Sequence, residues 1–325
     1  MKALVLAGFS LALLVFPATQ VSAAAGSSRL AYHWPVKPFY QQHPVRGTFG
    51  DPRIAGSRQP FGQTGPTQVG GHSFHNGVDI AAPAGTRVYP VVSGRVARAK
   101  AGQIIVRTRD GRSFQYYHLT KAPAVRVGKT VVARRTILGW IRSTYEHVHL
   151  AEIDGSVVRN PLDPGHLEPY RDSTTPLATG LYVHAGLVAH PLGTRALRPG
   201  DELAVAAADA PTMRMPGQWD GLPQTPALVE WRLFRGQTAT AWRIALDFRH
   251  TQPPPSHFWE VYGAGTYQSC PTFAGRIYHG LPGRYLFRLH IRPDRLQPGP
   301  YRLSVRVADT HGNRSTTRWP LVIVD

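Results

Sequence analysis

FHNGVDIAAPAGT, residues 74–86, is the stretch on which the reading of this chain turns. His75 and Asp79 stand four residues apart, with Asn76-Gly77 between them and Ala82-Pro83-Ala84-Gly85 behind. In an extended strand such a pair would lie roughly 13 Å apart, too far to share one ion. On a helix they would share a face, but Asn-Gly in the middle and a following proline argue against helix. The chain must bend at Asn76-Gly77 for the side chains to converge, and Gly77 supplies the backbone freedom for that bend.

A second constellation is EHVHLAEI, residues 146–153. On a strand His147 and His149 project from one face, while Val148 and Leu150 project into a core from the other. His118, in QYYHL, is a third candidate near the end of another strand. Zinc accepts histidine nitrogen and aspartate oxygen, and a catalytic zinc keeps three protein ligands. His75, Asp79 and one histidine of the 147/149 pair make such a set. No HExxH and no cysteine cluster is present, so a histidine must serve as general base.

Outward from these motifs the chain reads as strands throughout. VRGTFG, GVDIAA, RVYPVVSGRVARA, GQIIVRTRDG, SFQYYHL, VRVGKTVV, ILGWIRS and EHVHLAEIDG are short apolar runs broken by Gly and Pro. Asp110-Gly111 and Asp154-Gly155 are hairpin-turn dipeptides. EPYRDSTTP, residues 168–176, is polar and ends in proline, which marks a linker. Beyond it Tyr285, Phe287, Leu289 and Ile291 alternate with lesser residues. So do Tyr301, Leu303, Val305 and Val307 against Arg302, Ser304 and Arg306, the pattern of strands with one wet face. Pro-Gly turns in RPGDEL, LPGRYL and QPGPYR precede strands, and ADTHGN turns into the last one. The expected class is all-β. Antiparallel sheet over residues 45–168 is followed by a linker at 169–176 and a β-sandwich at 177–325.

The 325 residues fit about two domains at roughly 150 residues each. A content of 42% hydrophobic and 17% charged residues can bury a core and excludes a disordered chain. Residues 1–23, MKALVLAGFSLALLVFPATQVSA, read as a secretory signal peptide, with Lys2, an apolar run and small residues before the cut. Residues 24–44 are then a leader too short to fold alone. No other run is long enough to span a bilayer. Export with a single cysteine, Cys270, leaves stability to packing, and Cys270 reads as a small buried hydrophobe. The net charge of +18 is carried mainly by Arg. It suits anionic wall polymers, while export argues against nucleic acid. His33, His43 and His72 read as loop residues, His290 and His311 as surface residues, and Trp242, Trp259 and Trp319 as core.

HNGVD, YYHL and HVHL, set among APAGTRVYPVVSGRV and VGKTVVARRTILG, resemble the LytM-type (lysostaphin-like) zinc metallopeptidases, the M23 peptidases, over roughly residues 45–165. The resemblance implies a small β-sheet core with a groove over it and one zinc per chain. The ligands would be His75, Asp79 and His149, with His118 and His147 as catalytic histidines. It implies a secreted endopeptidase acting on peptides of peptidoglycan; the alternative is an idle wall-binding or hydrolase-activating relative. Phe49-Gly50 matches the family's opening strand. Three positions depart from the family's habit: Tyr145-Glu146 stands for Gly-Pro before HxH, and Leu150 for Phe after it. By alternation Tyr145 shares the histidine face and Glu146 points away. The hairpin between Val96 and Tyr117 is short, lacking the usual Gly-rich loop. The region from 177 resembles the immunoglobulin-like domains appended to bacterial exported enzymes.

Overall fold

The computed structural model describes residues 31–55, 71–185, 188–269 and 282–325. The signal-peptide reading of residues 1–23 and the reading of Cys270 fall outside them. Among the described residues strand is the dominant regular structure, with one α-helix, Phe258–Val261, and three short 3-10 helices. Among the described residues no helix is long and apolar enough to cross a membrane.

The first half is organised by an eight-stranded sheet. Its strands are β1 (Val45–Gly47), β2 (Val78–Ala81), β3 (Gly94–Lys100), β4 (Gln103–Arg107), β5 (Ser113–Tyr117), β6 (Thr130–Val131), β7 (His147–Asp154) and β8 (Val157–Arg159). They run in the order β6-β3-β4-β5-β7-β2-β1, with β8 paired to β7. Every pairing is antiparallel. The expected turns are in place, with Asp110-Gly111 between β4 and β5 and Asp154-Gly155 between β7 and β8.

Period-two patterning explains which face is buried. Val78 and Ile80 on β2, and Val148 and Leu150 on β7, are fully buried with Ile104, Phe114 and Tyr116. Each such side chain is worth about 1.5–3 kcal/mol when withdrawn from water. The leader is part of this core: Tyr32, Trp34 and Val36 pack into it. The hydroxyl of Tyr32 donates to buried Glu152 at 2.8 Å.

Residues 169–176 carry no strand, yet they are packed: Tyr170 is buried, and Asp172 accepts from Thr174. After them come two antiparallel sheets. One has the order β10-β9-β11-β15, from Val188–Pro191, Leu177–Ala185, Leu203–Ala208 and Leu286–Arg288. The other has the order β13-β12-β16-β17, from Thr238–Ala239, Leu228–Arg235, Gly299–Ala308 and Arg314–Ile323. Within it β14 (Arg243–Asp247) also pairs β12. The two sheets share one core, in which Val183 and Val205 meet Trp231, Val305 and Ile323. Ser304, expected on the wet face, is 1% exposed.

That second core reaches into the first half. Phe49 and Phe74 belong to it, and their rings lie 6.3 and 5.2 Å from Phe248. Phe49-Gly50, read from sequence as an opening strand, is a turn after β1 that sends Phe49 across to this core. His72 and His33 sit in short strands, Gly71–Phe74 and Tyr32–His33, and not in loops. Trp259 and Trp319 pack against the second core, whereas Trp242 is held between Arg232 and Arg306.

Candidate metal centre and cleft

The five residues singled out from sequence converge. In the register of β7 against β2, His149 faces Asp79 and His147 faces Ala81. His75 precedes β2 and is anchored by its backbone, whose N–H donates to the Asp51 carbonyl at 2.8 Å. His75 Nε2 lies 2.8 Å from His149 Nδ1 and 3.2 Å from Asp79 Oδ1, and His149 Nδ1 is 3.1 Å from that same oxygen. His147 Nε2 lies 3.4 Å from Asp79 Oδ1 as well. All four are buried.

Gly77 makes this approach possible, for a reason different from the one its sequence suggests. Its φ is not in the left-handed region. A Cβ there would sit 2.2 Å from the Leu150 carbonyl oxygen and 2.9 Å from His149 Nε2. What is needed is room between β2 and β7 rather than an unusual dihedral.

Hydrogen bonding fixes the ring tautomers. His75 Nδ1 donates to the Thr48 carbonyl at 2.8 Å, leaving the Nε2 lone pair toward Asp79 and His149. His147 Nδ1 donates to the Tyr145 carbonyl at 2.7 Å, leaving Nε2 as an acceptor. Burial, then the nearby Arg53 charge, draws the His75 imidazole down to about 4. Burial alone would raise the Asp79 carboxyl; His75 and His147 outweigh it and hold it well below the usual carboxylate range. Two imidazole nitrogens and a carboxylate oxygen, mutually within 4.8 Å, match the donor set that a divalent cation such as zinc takes.

His118 follows β5 in a left-handed conformation, φ 66°, and its carbonyl accepts from the Arg142 N–H at 2.9 Å. Its ring lies 4.5 Å from that of His147. Burial, then His147, draws it down to about 3. Tyr145 lines the groove, stacked on His118 at 4.0 Å and 22°. Glu146 does not point away. β7 starts only at His147, and Glu146, with φ 50°, is exposed on the cleft rim.

Sequence reasoning missed the arginines and the far wall. Arg53 Nη2 donates to Asp79 Oδ2 at 3.0 Å. Arg46, on β1, places its guanidinium 4.0 Å over the Trp219 ring and its Nη2 3.5 Å from His147 Nε2. Burial draws Arg46 down to about 10, with Asp79 opposing, so it stays cationic at neutral pH. Trp219, Gln268, Ser269 and Tyr285 bring the second half of the chain to a cleft of about 680 Å³ that also takes in Asp79, His118 and His147. No local periodicity announces these partners; only the alternation of β1, which buries Val45 and Gly47 and leaves Arg46 on the other face, hinted at Arg46.

The model of peptidase family M23 matches residues 73–161, a span holding all five of His75, Asp79, His118, His147 and His149. Among solved structures, the chain is similar to Csd3 of Helicobacter pylori at 22% identity and a TM-score of 0.31, covering 44% of this chain and 36% of that one. It is similar to the catalytic domain of the prophage-encoded M23 protein EnpA of Enterococcus faecalis at 19% identity and a TM-score of 0.27, covering 40% and 89%. The deep-sea M23 metalloprotease pseudoalterin is similar at 18% identity and a TM-score of 0.29, covering 44% and 80%. The chain thus spans about a third of the length of Csd3 and most of the two M23 enzymes. Residues 73–161 thus match peptidase family M23.

Proposed function

We propose that this protein is an exported zinc endopeptidase that hydrolyses peptide bonds of bacterial peptidoglycan. The observation that carries the reading is the convergence of His75 Nε2, Asp79 Oδ1 and His149 Nδ1 on one point, with His147 and His118 beside it on the open cleft. The family match over residues 73–161 supports a metallopeptidase. In this reading residues 1–23 are removed on export and 45–168 form the peptidase. Residues 169–176 link it to an immunoglobulin-like sandwich at 177–325, and the arginine surplus favours anionic wall polymers.

His75, Asp79 and His149 hold the metal, one per chain. Zinc in such a site supplies Lewis acidity toward the scissile carbonyl and brings the pKa of a water to about 7. His147, with its Nδ1–H committed to the Tyr145 carbonyl, offers Nε2 as the base that takes a proton from the attacking water. His118, neutral and enclosed beside it, is the second imidazole for proton exchange with the leaving amine or for steadying the oxyanion. Tyr145, stacked on His118, fixes that ring and walls the groove.

The test is muropeptide release from isolated peptidoglycan by the zinc-loaded protein beginning at Ala24, read by mass spectrometry. New amine ends with the native protein and none with His149→Ala or His147→Ala are expected. Zinc-loaded protein that binds several wall types and releases nothing would overturn the enzyme and leave a binding or activating protein.

A further inference from the structure

We infer that Arg46, stacked on Trp219 beside His147, forms a carboxylate-binding corner of the cleft that selects amides whose leaving amine carries a free α-carboxylate. The inference rests on the peptidase reading above and names the class of bond within it.

Arg46 is a cation with donor capacity to spare. Its Nη2 donates to His147 Nε2 in a long hydrogen bond of 3.5 Å and its Nε is shut away from solvent, so Nη1 and the second Nη2 N–H are what it has to offer, and among the described residues no carboxylate forms an ion pair with it. The other acids of the cleft are otherwise placed. Asp51 accepts from the Thr48 and Thr225 backbone N–H groups. Asp79 belongs to the proposed ligand set and Glu146 is exposed at the rim; both act on Arg46 through space, and neither hydrogen-bonds to it. Arg53, the second arginine of the cleft, already donates to Asp79. Stacking on Trp219 engages the guanidinium face and leaves the Nη1/Nη2 end for an in-plane partner, the end-on geometry that grips a carboxylate with two parallel bonds.

The second half of the chain sets this geometry. The Gln224 side-chain amide donates to the Val45 carbonyl, next to Arg46, and Gln224 and Asp209 exchange backbone hydrogen bonds that close the loop bearing Trp219. Location then decides the ligand. Arg46 Nη2 lies 3.5 Å from His147 Nε2, beside the imidazoles that exchange protons with the reacting groups. In an amino acid the α-carboxylate oxygens lie about 3 Å from the amine nitrogen, because only two bonds separate that nitrogen from the carboxyl carbon. A leaving amine held at these histidines would bring its own carboxylate to Arg46. A cross-link to an amino acid that keeps its α-carboxyl free meets this condition. A run of glycines does not, because there the carboxyl is tied up in the next peptide bond.

The test uses full-length mature protein loaded with zinc and two synthetic peptides that differ only in the leaving residue, free carboxylate against carboxamide. Native protein should favour the carboxylate in kcat/KM by roughly 10- to 100-fold, the range of a charge-assisted hydrogen bond. Arg46→Gln should bring that ratio close to unity, and Trp219→Ala should lower it part of the way, with zinc content and melting temperature tracked for each. Should Arg46→Gln fail to fold, Trp219→Ala carries the comparison. A native ratio near unity, or a ratio unmoved by the substitutions, removes the inference and leaves the peptidase standing. If native protein cuts neither peptide and releases nothing from peptidoglycan, the peptidase reading falls and this one with it.

Discussion

Arg53 Nη2 lies 3.0 Å from Asp79 Oδ2, while Asp79 Oδ1 faces His75 and His149 at 3.2 and 3.1 Å. One carboxylate is thus gripped from behind by a guanidinium and presented forward to two imidazoles. The arrangement depends on Gly47, where a Cβ would stand 2.7 Å from Arg53 Nη2 and 2.8 Å from Asp79 Oδ2. Partners behind a ligand typically carry 10- to 100-fold in metal affinity. Arg53→Gln should therefore weaken zinc binding by roughly that factor, measured by competition with a chelating dye. An unchanged dissociation constant would reduce Arg53 to a packing role.

The separate roles proposed for His149 and His147 give a clean contrast. His149→Ala removes a donor from the buried set and should leave the purified protein with well under one zinc per chain by elemental analysis. His147→Ala should retain its zinc and its fold while hydrolysis falls by roughly 100- to 10,000-fold, the usual worth of a general base. Loss of zinc from both variants would instead place His147 in the ligand set, which its 3.4 Å distance from Asp79 Oδ1 makes a real competitor.

Phe248 is 1% exposed and touches the first half of the chain through Phe49 and Phe74, the latter adjacent to His75. Tyr262 adds a hydrogen bond from its hydroxyl to the Gly50 carbonyl at 2.8 Å. Phe248→Ala should cost about 3–5 kcal/mol and lower the denaturant midpoint of the whole chain in one transition. Two separated transitions, with the half that carries His75, Asp79 and His149 unaffected, would show that the halves fold independently.

Acid should destabilise the metal-free protein. His118 is drawn to about 3 by burial and then by His147, against an ordinary value of 6.5. Between those values the unfolded chain binds a proton that the folded chain does not, so stability is full above about 6.5 and falls as pH drops toward 3. His75, held at about 4, acts in the same direction. Urea midpoints of chelator-treated protein at about pH 7.5 and 5 should differ, with His118→Asn showing the smaller difference. Equal native midpoints would contradict the account.

The strand content, most strand positions and the candidate residues of the centre were legible in the sequence, because they rest on short-range rules. Period-two alternation places Val148 and Leu150 on one face of β7 and His147 and His149 on the other, whatever the rest of the chain does. His75 and Asp79 announce themselves by residue type and by the Asn-Gly between them. Tertiary structure alone decided the surroundings. Glu146 turned toward the cleft because a left-handed residue ends the alternation one position before β7. Arg46 met Trp219, Phe74 met Phe248 and Gly50 met Tyr262 across separations of more than 170 residues. Such contacts are fixed by how two sheet systems pack, and packing depends on shape and volume summed over both cores, which no local pattern encodes.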